Sequence, residues 1–190
     1  NTVPVPAPAV AQEVLAAWAR AQPCGARPGW EPYPVSRRLL NWSKWLARGQ
    51  APPGWLAASM TVQARWLQCR IEHHLLGNHL LANGVALVAA GLVLTGEEAG
   101  AFRRRGERIL VRELPEQTLA DGTNFELSPM YHCIVLEDLL DLLALYGARG
   151  VEGPGVLRRT AEAMLSALPR FVHPDETIGL FNDASFGEAA

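Results

Sequence analysis

Hydrophobic positions recur along this chain at three- and four-residue intervals, a spacing that predicts helices almost throughout. Val10, Val14, Leu15 and Trp18 set the rhythm of a first helix over about 9–21. Ahead of it, residues 1–8 (NTVPVPAP) are Pro-rich and read as an extended lead-in to a single domain over 9–190. The segment PCGARPGWEPYP is too rich in Pro and Gly for helix and predicts a connection. Ser36 then suits an N-cap for SRRLLNWSKWLARG, in which Leu39, Trp42 and Leu46 line one face with Trp45 alongside. Gly49 and the pair Pro52-Pro53 stop that helix.

A longer helical region, about 56–94, is expected to break at Gly77 or Gly84, because Gly costs roughly 1 kcal/mol inside a helix. Its stretch Leu75–Leu94 has about the length of a membrane span. Asn78, His79 and Asn83 interrupt it and would need partners in hydrocarbon, so it reads as a buried helix and not as a span. Thr95 caps the next helix, which is acidic at its start and basic later, in the sense the helix dipole favours. Residues 115–124 form a loop with a turn at Asp121-Gly122, and Ser128-Pro129 opens a helix that runs to about Leu145. A loop over 147–155 and a last helix over 156–170 follow. The tail HPDETIGLFNDASFG reads as turn, short strand and turn. Six or seven helices with short loops and no fixed repeat predict an all-α domain of antiparallel helix pairs.

Composition narrows the functional classes. The 190 residues are 49% hydrophobic and 19% charged, enough for a sizeable core in one domain. Seventeen basic against 19 acidic side chains leave a net charge of −2. That argues against nucleic acid or an anionic membrane as partner, since both need a concentrated positive field. Arg outnumbers Lys sixteen to one, which reads as coding bias with no mechanical meaning. Cys24, Cys69 and Cys133 are far apart and form no CxxC pair, so free thiols are expected, two of them buried on helices. No basic segment followed by an apolar run marks a secretion signal in the residues at hand.

Two stretches carry candidate chemistry. The first is Glu72-His73-His74-Leu75-Leu76-Gly77-Asn78-His79. On a continuous helix His74 and Asn78 would share one face, and Leu75 and His79 another. A zincin arrangement needs His at i and i+4 with a Glu between; here His74 and His79 are five apart, so no metal and no cofactor is expected. The second is the loop and helix start from Asp121 to His132, which brings Tyr131 and His132 into a first helical turn. Tyr and His both move protons, provided the Tyr pKa falls from about 10 towards working pH. Each stretch also has a plain alternative, as hydrogen-bonded core residues or as an aromatic packed on a loop.

Together, GNH within IEHHLLGNHLLANGVALVAAGLVL and FELSPMYH within RELPEQTLADGTNFELSPMYHCIVLEDLLDLL resemble the N-terminal domain of the bacterial heparinase II/III family. WEPYPVSRRLLNWSKWL and the closing HPDETIGLFNDASFG are similar too, so the likeness covers about 30–187. The resemblance implies an incomplete α/α toroid followed, in the same chain, by an antiparallel β-sandwich domain. It implies cleavage of an acidic, uronic-acid polysaccharide by β-elimination. Asn78, with His79 beside it, would neutralise the uronate carboxylate, and Tyr131 would act as acid or base. His74, Glu126 and His132 would touch substrate. A His base would come from the β-sandwich domain, so residues 1–190 alone are expected to be inactive. A bacterial periplasm or cytoplasm is the compartment this implies. The alternative reading is a non-catalytic carbohydrate-binding or interaction module on the same scaffold, with tryptophans among Trp30, Trp42, Trp45, Trp55 and Trp66 as sugar platforms, although Trp42 and Trp45 are expected to pack helices instead.

Overall fold

A computed structural model describes residues 8–48, 53–75 and 77–185. The chain order is α1 (Pro8–Ala21), α2 (Pro32–Ala47), α3 (Gly54–Gln68), α4 (Gly77–Val93), α5 (Glu97–Gln117), α6 (Pro129–Arg149) and α7 (Gly155–Ala167), then a 3-10 turn at Leu168–Arg170. Among the described residues there is no β-strand beyond isolated bridges. Isolated bridges join Thr118 to Asn124 and Val172 to Ile178, the second where the tail was expected to hold a short strand. Consecutive helices pair antiparallel and form part of an α/α toroid. The lead-in lies outside the described residues, apart from Pro8, which starts α1.

Several boundaries differ from the sequence expectation, for local reasons. α2 starts at Pro32, not at Ser36, because Pro32 and Pro34 occupy a first turn that needs no backbone N–H. Ser36 lies inside the helix and its hydroxyl donates to the Pro32 carbonyl at 2.8 Å. The long 56–94 region breaks before Gly77, which adopts φ +54°; Gly84 stays within α4. α5 is capped at Gly96 rather than Thr95 and carries Pro115 into its last turn. That last turn holds no basic residue, so the helix dipole does not account for Arg104, Arg105 and Arg108, which sit in mid-helix. α6 runs on to Arg149 and closes at Gly150 with φ +62°.

α4 is the axis of the core. Leu81, Val85, Val88 and Leu92 pack with Leu110 and Leu114 of α5, and with Val135, Leu139 and Leu142 of α6. Ala86, Leu87 and Ala90 pack on the other side against Leu39, Leu56, Met60 and Phe102. Close approach of α4 and α5 requires glycine: a Cβ on Gly106 would lie 2.5 Å from the Gly84 carbonyl oxygen, and one on Gly91 2.5 Å from that of Ala99. Among the described residues no helix is long and apolar enough to cross a membrane. The thiols depart from expectation: Cys24 and Cys69 are exposed, Cys133 half-buried, and all three are free.

Candidate active site

Alternate helices of the paired arrangement run the same way, which brings the amino ends of α4 and α6 to one end of the domain. The 118–128 loop ties them together. It is braced by Leu119 N–H to Thr123 O at 2.8 Å and Phe125 N–H to Gln117 O at 3.0 Å. Asp121 Oδ1 accepts from the Thr123 hydroxyl at 2.7 Å and from its N–H at 3.0 Å, which holds the carboxyl below its ordinary range. Gly122 has φ +86°, and a Cβ there would lie 2.3 Å from the Ala163 carbonyl oxygen, so the turn accepts no side chain.

The loop then serves both helix starts. Glu126 Oε1 accepts from the Asn78 backbone N–H at 3.2 Å, satisfying a donor that α4 leaves open at its amino end. Ser128 caps α6, its Oγ accepting from Tyr131 N–H at 3.4 Å, with Pro129 in the first turn as the sequence predicts. The tail fastens the same loop from outside: Asn182 Nδ2 donates to Leu127 O at 3.0 Å and Arg170 pairs with Asp121 at 3.0 Å.

A narrow, largely apolar cleft of about 10 Å³, room for about one water molecule, lies at this end. Asn78 lines it with Tyr33 of α2 and with Ile134, Val135 and Asp138 of α6; leucines of α4, α5 and α6 make its floor. Tyr131 stands on the stripe of α6 that carries Ile134, Val135 and Asp138, one turn nearer the amino end. Asp138 is buried and meets Arg37 Nη1 at 2.5 and 2.7 Å. Burial pushes its carboxyl up to about 6, with Arg37 opposing.

Beside Asn78, His79 Nδ1 lies 3.1 Å from Glu72 Oε1. Glu72 is buried and clasped by Asn83: its Oε2 accepts from Asn83 Nδ2 at 2.9 Å, and its N–H donates to Asn83 Oδ1 at 2.9 Å. Asn83 Nδ2 also reaches Ser36 Oγ at 3.1 Å. Tyr33 packs on the His79 ring with centroids 4.6 Å apart.

Asn78, His79, Glu126 and Tyr131 are thus gathered at the joined amino ends of α4 and α6. His74 and His132 are placed differently. His74 lies exposed in the turn before α4, so the helical face expected to pair it with Asn78 does not exist. His132 is 1% exposed; its Nδ1 accepts from Asn124 N–H at 3.3 Å and its Nε2 donates to Met164 O at 3.0 Å. Both nitrogens are engaged by main chain and burial holds the imidazole pKa below its ordinary value, so the residue braces the loop. Tyr33, Ser36, Asn83 and Asp138 complete the site although sequence reading passes over them in this role. Asn83, a polar residue inside an apolar helix, offered the one available signal.

The tryptophans considered as sugar platforms pack on one another. Trp30 meets Trp66 edge-on at 5.6 Å and Trp42 meets Trp55 at 6.3 Å, while Trp45 packs against the same core cluster. Among the described residues no three His, Cys, Asp or Glu side chains are grouped to hold a metal ion.

Residues 15–190 match the family described as the heparinase II/III N-terminus. The heparin-sulfate lyase of Bacteroides stercoris is 32% identical over 171 residues, covering 84% of this chain and 25% of that protein. The heparin-sulfate lyase of Pedobacter heparinus is 29% identical over 184 residues, covering 88% of this chain and 27% of that one. The chain therefore spans about a quarter of the length of these curated relatives. Among solved structures, a crystal structure of heparinase III superposes with a TM-score of 0.71 at 22% identity, over 86% of this chain and 27% of the other. A mutant of heparan sulfate lyase HepC from Pedobacter heparinus gives 0.65 at 26% identity, over 90% and 29%. The match over nearly the whole length, on a helical-toroid scaffold, establishes that the chain belongs to the heparinase II/III family.

Proposed function

We propose that the full-length protein is a lyase that cleaves a uronic-acid polysaccharide of the heparan sulfate class by β-elimination, and that residues 1–190 supply one wall of its cleft. The observation that carries this reading is the junction of the α4 and α6 amino ends, where Glu126 holds the first turn of α4 and Asn78 shares a cleft with Ile134, Val135 and Asp138, on the helix whose first turn holds Tyr131. The names of the similar proteins supply the substrate class.

The chemistry suits these residue types. A uronate C5 proton is hard to remove while the adjacent carboxylate is negative. An amide that donates to that carboxylate spreads the charge as it builds, and Asn78 fills this role with His79 beside it. A base takes the C5 proton, the C4–O4 bond breaks, and the departing O4 takes up a proton from Tyr131. His132 holds the loop rather than meeting substrate, and Glu126 acts through the start of α4. Positioning of all these groups around one sugar ring is itself worth several kcal/mol. A β-sandwich domain in the same chain supplies the remaining base.

The test is the ultraviolet absorbance of the unsaturated uronide when the full-length protein is given heparan sulfate, with Asn78→Ala and Tyr131→Phe alongside. New absorbance in the parent and a loss of about 10²–10⁴-fold in kcat in Tyr131→Phe support the assignment. An unaltered rate in both variants overturns it.

A further inference from the structure

Glu72 lies outside every role assigned so far, yet it is buried with hydrogen-bond partners on every side. It is 6% exposed, and both carboxylate oxygens are engaged: Oε2 by Asn83 Nδ2 at 2.9 Å and Oε1 by His79 Nδ1 at 3.1 Å. Asn83, fully buried, is oriented in turn. Its Oδ1 must face an N–H, which Glu72 supplies at 2.9 Å, so its amide nitrogen points at Glu72 Oε2 and Ser36 Oγ. The Ser36 hydroxyl proton is already given to the Pro32 carbonyl at 2.8 Å, leaving Ser36 Oγ as an acceptor. The donor directions therefore run one way along the chain of groups, and each hydrogen bond settles the next.

We infer that Glu72 is a positioning residue for His79: it fixes the ring with the proton on Nδ1 and turns Nε2 to the open side. An ionised carboxylate only accepts hydrogen bonds, so the nitrogen that faces Oε1 must carry the proton. Nε2, on the opposite edge, then bears the lone pair that accepts a sugar hydroxyl. The His79 side chain is 38% exposed against 8% for that of Glu72, so the ring reaches solvent while the carboxylate that holds Nδ1 is buried. Tyr33, packed on the ring at 4.6 Å, restrains its rotation. This inference rests on the proposed lyase reading only for the use made of Nε2; the proton's location stands apart from it.

The informative variant is Glu72→Gln, which keeps shape while changing donors. Asn83 Nδ2 still demands an acceptor at its end of the side chain, so the new amide turns its oxygen to Asn83 and its NH2 to His79. Nδ1 becomes the acceptor and the proton moves to Nε2. Nitrogen-15 spectra of histidine-labelled full-length protein, with the His79 signals assigned by His79→Gln, read this directly. The expected result is Nδ1–H in the wild type, Nε2–H in Glu72→Gln, and a kcat on heparan sulfate lower by about 10-fold with little change in KM, the scale of one hydrogen bond lost in the transition state. Glu72→Asp, which keeps the charge, should retain Nδ1–H and recover part of the rate, and it serves if Glu72→Gln folds poorly. Nε2–H in the wild type, an unmoved proton in Glu72→Gln, or a moved proton with an unchanged rate each overturns the inference. Failure of the lyase reading shows separately, as activity indifferent to Asn78→Ala and Tyr131→Phe, and leaves the spectral result to decide on Glu72.

Discussion

Arg37 on α2 and Asp138 on α6 meet beside the cleft, with Arg37 Nη1 at 2.5 and 2.7 Å from the two carboxylate oxygens. They are 101 residues apart in the chain, and Asp138 lines the same cleft as Asn78. The pair pins two walls of the candidate site to each other.

Removing one partner should therefore cost much more than removing both. Arg37→Met leaves a buried carboxyl without its cation, and a loss of about 3–5 kcal/mol is expected in chemical denaturation at neutral pH. The double variant Arg37→Met, Asp138→Leu should recover most of it. The sign of the pH dependence follows from burial. The folded state holds the Asp138 carboxyl at about 6 against an ordinary 3.8, so it binds the proton more tightly than the unfolded chain. Stability contributed by this group therefore falls as pH rises from about 4 to 6, and the cost of Arg37→Met should be smaller at pH 5 than at pH 7. Equal costs at both pH values would show that the carboxyl is ionised throughout.

His132 has the opposite slope. Burial keeps the imidazole neutral in the fold, so its pKa lies below that of the unfolded chain, ordinarily 6.5. Its stabilisation is complete above that value and is lost as pH falls below it, because the unfolded chain then binds the extra proton. Protonation also ends Nδ1's acceptance from Asn124 N–H. Melting temperature should drop from pH 7 to pH 5 more in the wild type than in His132→Phe. The variant itself is expected to lose about 1–3 kcal/mol at pH 7, since the Asn124 donor is left buried and unmatched.

Gly106→Ala tests the helix contact on which the site is built. Ala favours helix over Gly by about 1 kcal/mol. Here the added carbon would lie 2.5 Å from the Gly84 carbonyl oxygen and 2.8 Å from Val88 Cγ2. Backbone must move, and overpacking of this kind costs about 1–3 kcal/mol, so net destabilisation is expected by denaturant titration. A stabilised variant would mean that α4 and α5 sit further apart than described.

Residues 1–190 by themselves are expected to show no lyase turnover where the full-length protein does. On the proposed reading Asn78, His79 and Tyr131 form one wall, and without a facing wall water enters and weakens every hydrogen bond to a bound uronate. Matched specific activities on heparan sulfate decide this; equal rates would place the base within these residues.

Much of this protein is legible in the order of its residues. Helix positions follow from apolar periodicity, the start of α6 from Ser128-Pro129, and the turn at Gly122 from the Asp-Gly pair, because each depends on neighbours within a few positions. The strings around Asn78 and Tyr131 likewise pointed to the family. Tertiary contact decided the rest. The 69–75 turn that puts His74 out in solvent cannot be told from helix by periodicity, since its residues alternate no differently from those flanking it. The burial of His132 depends on Met164 of α7, and that of Asp138 on Arg37 of α2. Glu72 reads as one more charged residue until Asn83, eleven positions on, closes on it through two hydrogen bonds. A local pattern reports which face of a helix is apolar; which polar groups are desolvated together is settled only when distant helices pack, and that is where the pKa values and proton positions of the site are set.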